Sequence, residues 1–198
     1  MLSRTYLRLK PLRAKLYFTV GDVAQVLGIK RQSARLECFR FVREGLFIRL
    51  KNDMYVFEEK WQNFSQNDYF QIASYLQVPA YISFISALSF YGITTQVQQQ
   101  FFESSCFKRT RVFEQGGVRF NYYKIKKELY FGFVRKGSFF IATAEKAFLD
   151  VVYLYSFGKY KFDSSALDLS KLNTKMLRKM LIKYPLKTRK IVGRLCKI

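Results

Sequence analysis

The sequence contains no histidine, only three cysteines and three prolines, and 14 acidic residues against 35 lysines and arginines. Without histidine there is no ordinary general base near neutral pH, no His-dependent catalytic triad and no zinc site that needs imidazole. Cys38, Cys106 and Cys196 are odd in number and far apart, so they draw neither a disulfide framework nor a closely spaced metal-binding pair. A reducing cytoplasm is the expected setting, with no metal and no cofactor. No stretch approaches the roughly 18 consecutive apolar residues of a membrane span, and the N-terminus alternates Leu with Arg and Lys where a signal core would be apolar. A membrane is therefore not an expected partner. The scarcity of acid leaves a formal charge of +21, which excludes a neutral or acidic enzyme surface and points towards a polyanion.

What is abundant is apolar and aromatic. At 49% hydrophobic, with 21 Phe and 14 Tyr, the chain has too much apolar surface for a disordered basic tail. The charge is segmental: +7 over residues 1–60, −1 over 61–100, +6 over 101–160 and +9 over 161–198. This division predicts a small basic module at 1–60 and a larger domain at 61–198, with the junction near Phe57 to Gln66.

In the first module, Tyr6 to Leu16 is amphipathic and interrupted by Pro11, which predicts a helix kinked at, or beginning near, that proline. Thr19 and Asp22 have the spacing of a variant capping box; Val20, Val23, Val26 and Leu27 recur at helical spacing, and Gly28 is a plausible stop. Lys30 and Arg31 open a second helix whose apolar stripe is Ala34, Cys38, Phe41 and Val42, ended by Gly45. Its opposite face carries Gln32, Ser33, Leu36, Arg40 and Arg43, with Arg31 and Arg35 flanking the first turn. Phe47, Ile48 and Leu50, then Met54, Tyr55 and Phe57, predict a two-stranded hairpin around Lys51-Asn52-Asp53.

Together these elements predict a winged helix-turn-helix, with the basic helix in the DNA major groove and the hairpin, through Arg49, Lys51 and Asn52, at phosphate. Arginine suits guanine edges, glutamine suits adenine, and Leu36 suits a thymine methyl. Two plainer readings of the same residues stand beside this one: Arg40 and Arg43 as the solvated face of a surface helix, and the module as a protein–protein contact.

The second domain is expected to be α+β with a mainly antiparallel sheet. Helices are predicted at 66–76, 84–91 and 143–154, and strands at 81–83, 97–107, 118–125 and 128–134, with Gly116-Gly117 a turn. Tyr81, Ser83, Ser86-Ala87-Leu88 and Tyr91-Gly92, followed by Thr143, Glu145-Lys146-Ala147, Asp150 and Tyr153, resemble the two motifs of the AbiEi antitoxin family. The resemblance spans residues 17–155. It departs from the family where Asp53-Met54-Tyr55 lacks the usual wing glycine and where Tyr91 replaces the usual histidine.

The resemblance implies a bacterial type IV toxin–antitoxin protein of the kind that serves in abortive infection. Such a protein represses its own promoter as double-stranded DNA with inverted repeats, and opposes a nucleotidyltransferase toxin without a stable complex. No catalytic residues are expected. Glu145, Lys146 and Asp150 are the only close group of acid, amine and acid, and Lys146 with Asp150 reads as an i,i+4 pair worth a few tenths of a kcal/mol.

A basic surface is expected from Arg119, Lys124, Lys126 and Lys127 and, on two amphipathic helices split at Pro185, from Arg178, Lys179, Lys183, Lys187, Arg189 and Lys190. Tyr122 and Tyr123 beside it could stack bases or belong to the core. Two other functions fit the composition: a basic protein that binds or processes nucleic acid through its second domain, and a regulator whose second domain senses a ligand or partner.

Overall fold

Pro11 decides how the chain begins. It has no N–H to continue a helical ladder, so α1 (Arg4–Arg8) stops short of it and the chain runs on as a 3₁₀ turn, Lys10–Ala14. The expected helix over Tyr6–Leu16 is thus two short pieces. The computed structural model describes residues 4–95 and 99–198. It divides the chain into two compact units, Met1–Ile72 with Phe113–Gly117, and Ala73–Val112 with Val118–Ile198. The boundary lies inside a helix and not at the expected 60/61 junction.

In the first unit, α2 (Val20–Leu27) begins at Thr19, whose hydroxyl accepts from the Asp22 backbone N–H while the Asp22 carboxylate accepts from the Thr19 N–H at 2.7 Å. Both halves of the capping box form. Gly28, at φ 68°, ends the helix in the left-handed conformation that glycine adopts without a Cβ clash. After Ile29 and Lys30 comes α3 (Arg31–Arg43), which buries Ala34, Cys38 and Phe41.

The hairpin strands β1 (Phe47–Lys51) and β2 (Met54–Phe57) pair antiparallel, and a bridge between Phe18 and Tyr55 widens the ribbon by one residue. Phe47 packs within 5.1 Å of the rings of Phe18, Phe41 and Phe57, so helices and hairpin share one aromatic core with Tyr6, Leu9 and Leu12. A short helix, α4 (Glu58–Trp61), follows. Trp61 is buried with its indole N–H bonded to the Gly116 carbonyl at 3.0 Å, and a Cβ at Gly116 would come within 2.6 Å of that ring.

The boundary between units falls within α5 (Gln66–Leu76). After it come β3 (Ala80–Ile82), α6 (Phe84–Phe90), β4 (Phe101–Cys106), β5 (Arg111–Gln115), β6 (Val118–Lys124), β7 (Phe133–Lys136), β8 (Phe139–Ala142), α7 (Ala144–Ser156), α8 (Thr174–Leu181) and α9 (Leu186–Cys196). The fold is α+β. The sheet order is β5-β6-β4-β3-β8-β7, with β3–β4 and β7–β8 antiparallel but β3–β8 and β4–β6 parallel. The sheet is mainly antiparallel, as expected, but mixed: β4 and β6 run the same way because β5 intervenes in the chain but pairs at the outer edge.

Three local expectations also change. Val97, the first residue of the expected strand 97–107, lies outside the described residues, and the observed strand starts at Phe101. Glu128–Val134 is a 3₁₀ turn leading into β7 instead of one strand. Two strands, β5 and β8, were not expected at all. No described helix is long and apolar enough to cross a membrane.

At the hairpin turn, Asp53 takes the left-handed φ of 56° that the missing wing glycine would otherwise supply. Its carboxylate also accepts from the Val20 N–H at 2.8 Å and pairs with Arg31 at 2.6 Å, tying the hairpin to the start of α2 and of α3. Asp53→Gly keeps the turn and loses these bonds, so it should cost the first unit about 1 kcal/mol. Asp53→Ala adds left-handed strain of about 1–2 kcal/mol. Chemical denaturation of the two variants should rank them wild type, Gly, Ala; equal stability of all three would show that the ties contribute nothing.

Candidate nucleic-acid interface and the buried polar cluster

The face of α3 turned from the core is fully solvent-exposed. Lys30 caps the helix, and Arg31, Gln32, Ser33, Arg35, Leu36, Arg40 and Arg43 all lie in water; on the hairpin Arg49 and Asn52 are exposed and Lys51 is half-buried. The arginines are not equivalent. Arg31 is held by Asp53, and Arg40 is ion-paired with Glu37 and, at 3.7 Å, with Glu44. Arg49 donates to Asn52 at 3.2 Å. Arg35 and Arg43 have no acidic partner within ion-pair distance among the described residues, which leaves their five-donor forks available to an incoming anion.

Between α3 and the hairpin lies a cleft of about 510 Å³ lined by Val20, Arg35, Leu36, Phe39, Val42 and Arg49, among others. Leu36 and Phe39 stand at its mouth, 68% and 61% exposed. Phe39 is not among the expected site residues; it falls outside the apolar stripe of α3, and that position was the signal that could have found it.

The second-unit motif residues do something different. Tyr81 and Ser83, at the end of β3, donate to Asp150 Oδ2 at 2.9 and 2.8 Å, and Ser105 on β4 donates to the same oxygen at 2.9 Å. Asp150 Oδ1 takes the Lys146 ammonium, which also donates to the Tyr184 hydroxyl at 2.7 Å. Lys146 and Asp150 are both 0% exposed. The i,i+4 pair expected to be worth a few tenths of a kcal/mol is instead a sealed charge pair, and the surface magnitude does not apply. Burial pushes the Lys146 amine down, opposed by the Asp150 charge. Burial raises the Tyr81 and Tyr184 phenols far enough to keep them protonated donors.

Thr143, Glu145, Ser86 and Gly92 serve elsewhere. Thr143 caps α7 by accepting from the Lys146 N–H, and Glu145 turns away to accept from the Asn173 N–H at 3.0 Å. Ser86 accepts from the Glu103 N–H at 2.9 Å. Gly92 ends α6 with φ 64°. Among the described residues no three His, Cys, Asp or Glu side chains converge on a metal position.

No protein-family model matches the sequence, and no curated protein matches it. Among solved structures, the RV2827C protein from Mycobacterium tuberculosis aligns with all of this chain and 78% of its own, at a TM-score of 0.63 and 12% identity. The likeness is one of fold.

A second acid, Glu103, is buried on β4 with no local sequence signal. Tyr160 donates to its carboxylate at 2.9 Å and the Ile85 N–H at 3.1 Å, and it lines a cleft of about 380 Å³ with Phe101, Tyr123, Lys159 and Lys161. Of the two readings of Tyr122, the structure gives the core one: it is buried, its hydroxyl donating to the Ala73 carbonyl, and offers no stacking face. Tyr123 packs edge-on against Phe84 and Tyr160.

Arg119, Lys124, Lys126, Lys127, Arg178, Lys179, Lys183, Lys187, Arg189 and Lys190 are all exposed. Arg189, however, is spent on the Tyr184 and Ile182 carbonyls, and Lys183 lies 4.4 Å over the Phe131 ring.

Two outcomes are expected. Asp150→Asn strands the Lys146 charge and should cost about 3–5 kcal/mol of stability, whereas Glu145→Gln, at the edge of the cluster, should cost under 1 kcal/mol; similar losses in both would contradict the burial argument. Burial raises the Glu103 carboxyl from 4.5 to about 7. A group raised on folding stabilises the fold fully below its unfolded value and loses that contribution as pH rises to the folded one. Stability of the second unit should therefore fall, by on the order of 3 kcal/mol, between pH 4.5 and about 7, and Glu103→Gln should flatten that slope in denaturation curves taken across it.

Proposed function

We propose that the first unit is a winged helix-turn-helix that binds duplex DNA, and that the chain is a non-catalytic transcriptional regulator. The observation that carries this reading is the exposed face of α3, where Gln32, Arg35 and Arg43 stand free beside a short hairpin bearing Arg49. The three-residue turn Gly28-Ile29-Lys30 between α2 and α3 has the length of a helix-turn-helix connection. In that geometry α3 enters the major groove with its first turns at base edges while Arg49, Lys51 and Asn52 on the wing approach phosphate.

The motifs shared with the AbiEi antitoxins extend the reading: a cytoplasmic autorepressor that binds its own promoter and opposes a nucleotidyltransferase toxin of a type IV system without holding it in a stable complex. The burial of Tyr81, Ser83, Lys146 and Asp150 supports assigning these motif residues to architecture, which leaves the exposed lysines and arginines of the second unit as the working surface.

Fluorescence anisotropy with promoter and random duplexes tests the DNA reading. Affinity should fall by orders of magnitude between 50 and 200 mM salt, given about −0.9 in log–log slope per phosphate contact. Gln32→Ala with Arg35→Ala should erase preference for the promoter and leave non-specific binding; Arg49→Ala with Lys51→Ala should weaken all sequences alike. Arg40→Ala, already committed to Glu37 and Glu44, should matter less than Arg43→Ala. Equal affinity for promoter and random duplex at every salt concentration rejects the regulator. For the antitoxin reading, α3 variants of the full chain should lose repression yet still relieve growth arrest by the toxin; loss of both together rejects the division of labour.

A further inference from the structure

Leu36 and Phe39 are the anomaly of the α3 face. Two large apolar side chains, 68% and 61% exposed, stand one helical turn apart on a surface whose other members are polar or charged. Surface positions normally carry apolar residues singly, and an exposed pair beside an apolar-floored cleft marks a contact. The cleft beside them is lined by Val20, Val42 and Tyr55 together with Arg35, Arg49, Asn52 and Asp53. Asp53, the acid among the lining residues, is taken up by Arg31, and Arg35 has no acidic partner within ion-pair distance among the described residues; a DNA backbone supplies that acid. Charge thus selects duplex DNA over an apolar peptide or a second copy of this basic chain.

We infer that Leu36 and Phe39 read thymine 5-methyl groups, making the pair a specificity determinant of the DNA contact; this rests on the duplex-binding reading above. The methyl is the one apolar group that a base edge presents in the major groove, and only A·T pairs carry it. Residues three apart on a helix have Cβ atoms about 5–6 Å apart, and bases along a strand rise about 3.4 Å each. The two side chains therefore span methyls one or two base steps apart. Arg35 and Arg43 flank the pair in sequence and position it against the neighbouring bases or phosphates.

The test uses the full chain and a duplex that the chain itself selects from a random pool. Each thymine is replaced in turn by deoxyuracil, which removes the methyl and keeps every hydrogen-bonding group. Two thymines one or two steps apart should each lose about fourfold in affinity, the value of one buried methyl-sized group. Leu36→Ala should abolish the loss at one of them and Phe39→Ala at the other, with circular dichroism unchanged because both residues are on the surface. Uniform affinity across all uracil duplexes overturns the inference while the DNA reading survives. A pool that yields no preferred duplex overturns both. If Leu36→Ala and Phe39→Ala leave uracil sensitivity intact and instead shift the sedimentation coefficient, the pair is a protein contact and the inference falls.

Discussion

The Asp150 carboxylate is the point on which the second unit depends. It collects a lysine ammonium and three hydroxyls, from β3, β4 and α7, and Tyr184, from the link between α8 and α9, shares the lysine from the other side. A carboxylate with no access to water is tolerable only if its acceptor sites are filled. The donors must therefore be delivered by several elements at once, and the requirement ties β3 and its antiparallel neighbour β4 to α7 as much as apolar packing does. The network contributes little net stability compared with an apolar replacement of equal volume. What it imposes is a penalty on any arrangement that fills the core but misplaces one donor.

The same reasoning separates the two kinds of conspicuous residue in this chain. Polar residues that look chemical by type, Tyr81, Ser83, Lys146 and Asp150, are sealed and mutually satisfied. Residues that look unremarkable, Leu36, Phe39 and Arg35, are exposed and unsatisfied. Function is more readily assigned to the second set, since a group already partnered within the fold has little left to offer a ligand.

Local physics was legible in the sequence. The Thr19–Asp22 box, the stop at Gly28, the Ala34–Cys38–Phe41 stripe of α3, the start of a helix at Thr143 and the break at Pro185 each follow from residues within a turn or two of one another. What was not legible is long-range. Nothing in the pattern near Ser105 or Tyr184 distinguishes them from other core-facing residues, because their partner lies 45 and 34 positions away. The parallel pairing of β4 with β6 was hidden for the same reason, and the four-residue strand β8 is too short to show an alternation. In the site, helix phase identified the exposed face of α3 but not which arginines were already ion-paired, a property set by Asp53 on another element and by the chosen rotamers of Glu37 and Glu44.

The single tryptophan of the chain gives the molecule a built-in optical label. Trp61 is wholly buried in the first unit, its indole bonded to Gly116 and crossed edge-on by Tyr69 at 5.0 Å. Emission excited at the red edge, where the many tyrosines do not absorb, reports the environment of that unit by itself, while far-ultraviolet dichroism averages over both. The two signals overlay during denaturation only if the units melt as one cooperative block. Any separation between them measures how much of the stability each unit holds on its own.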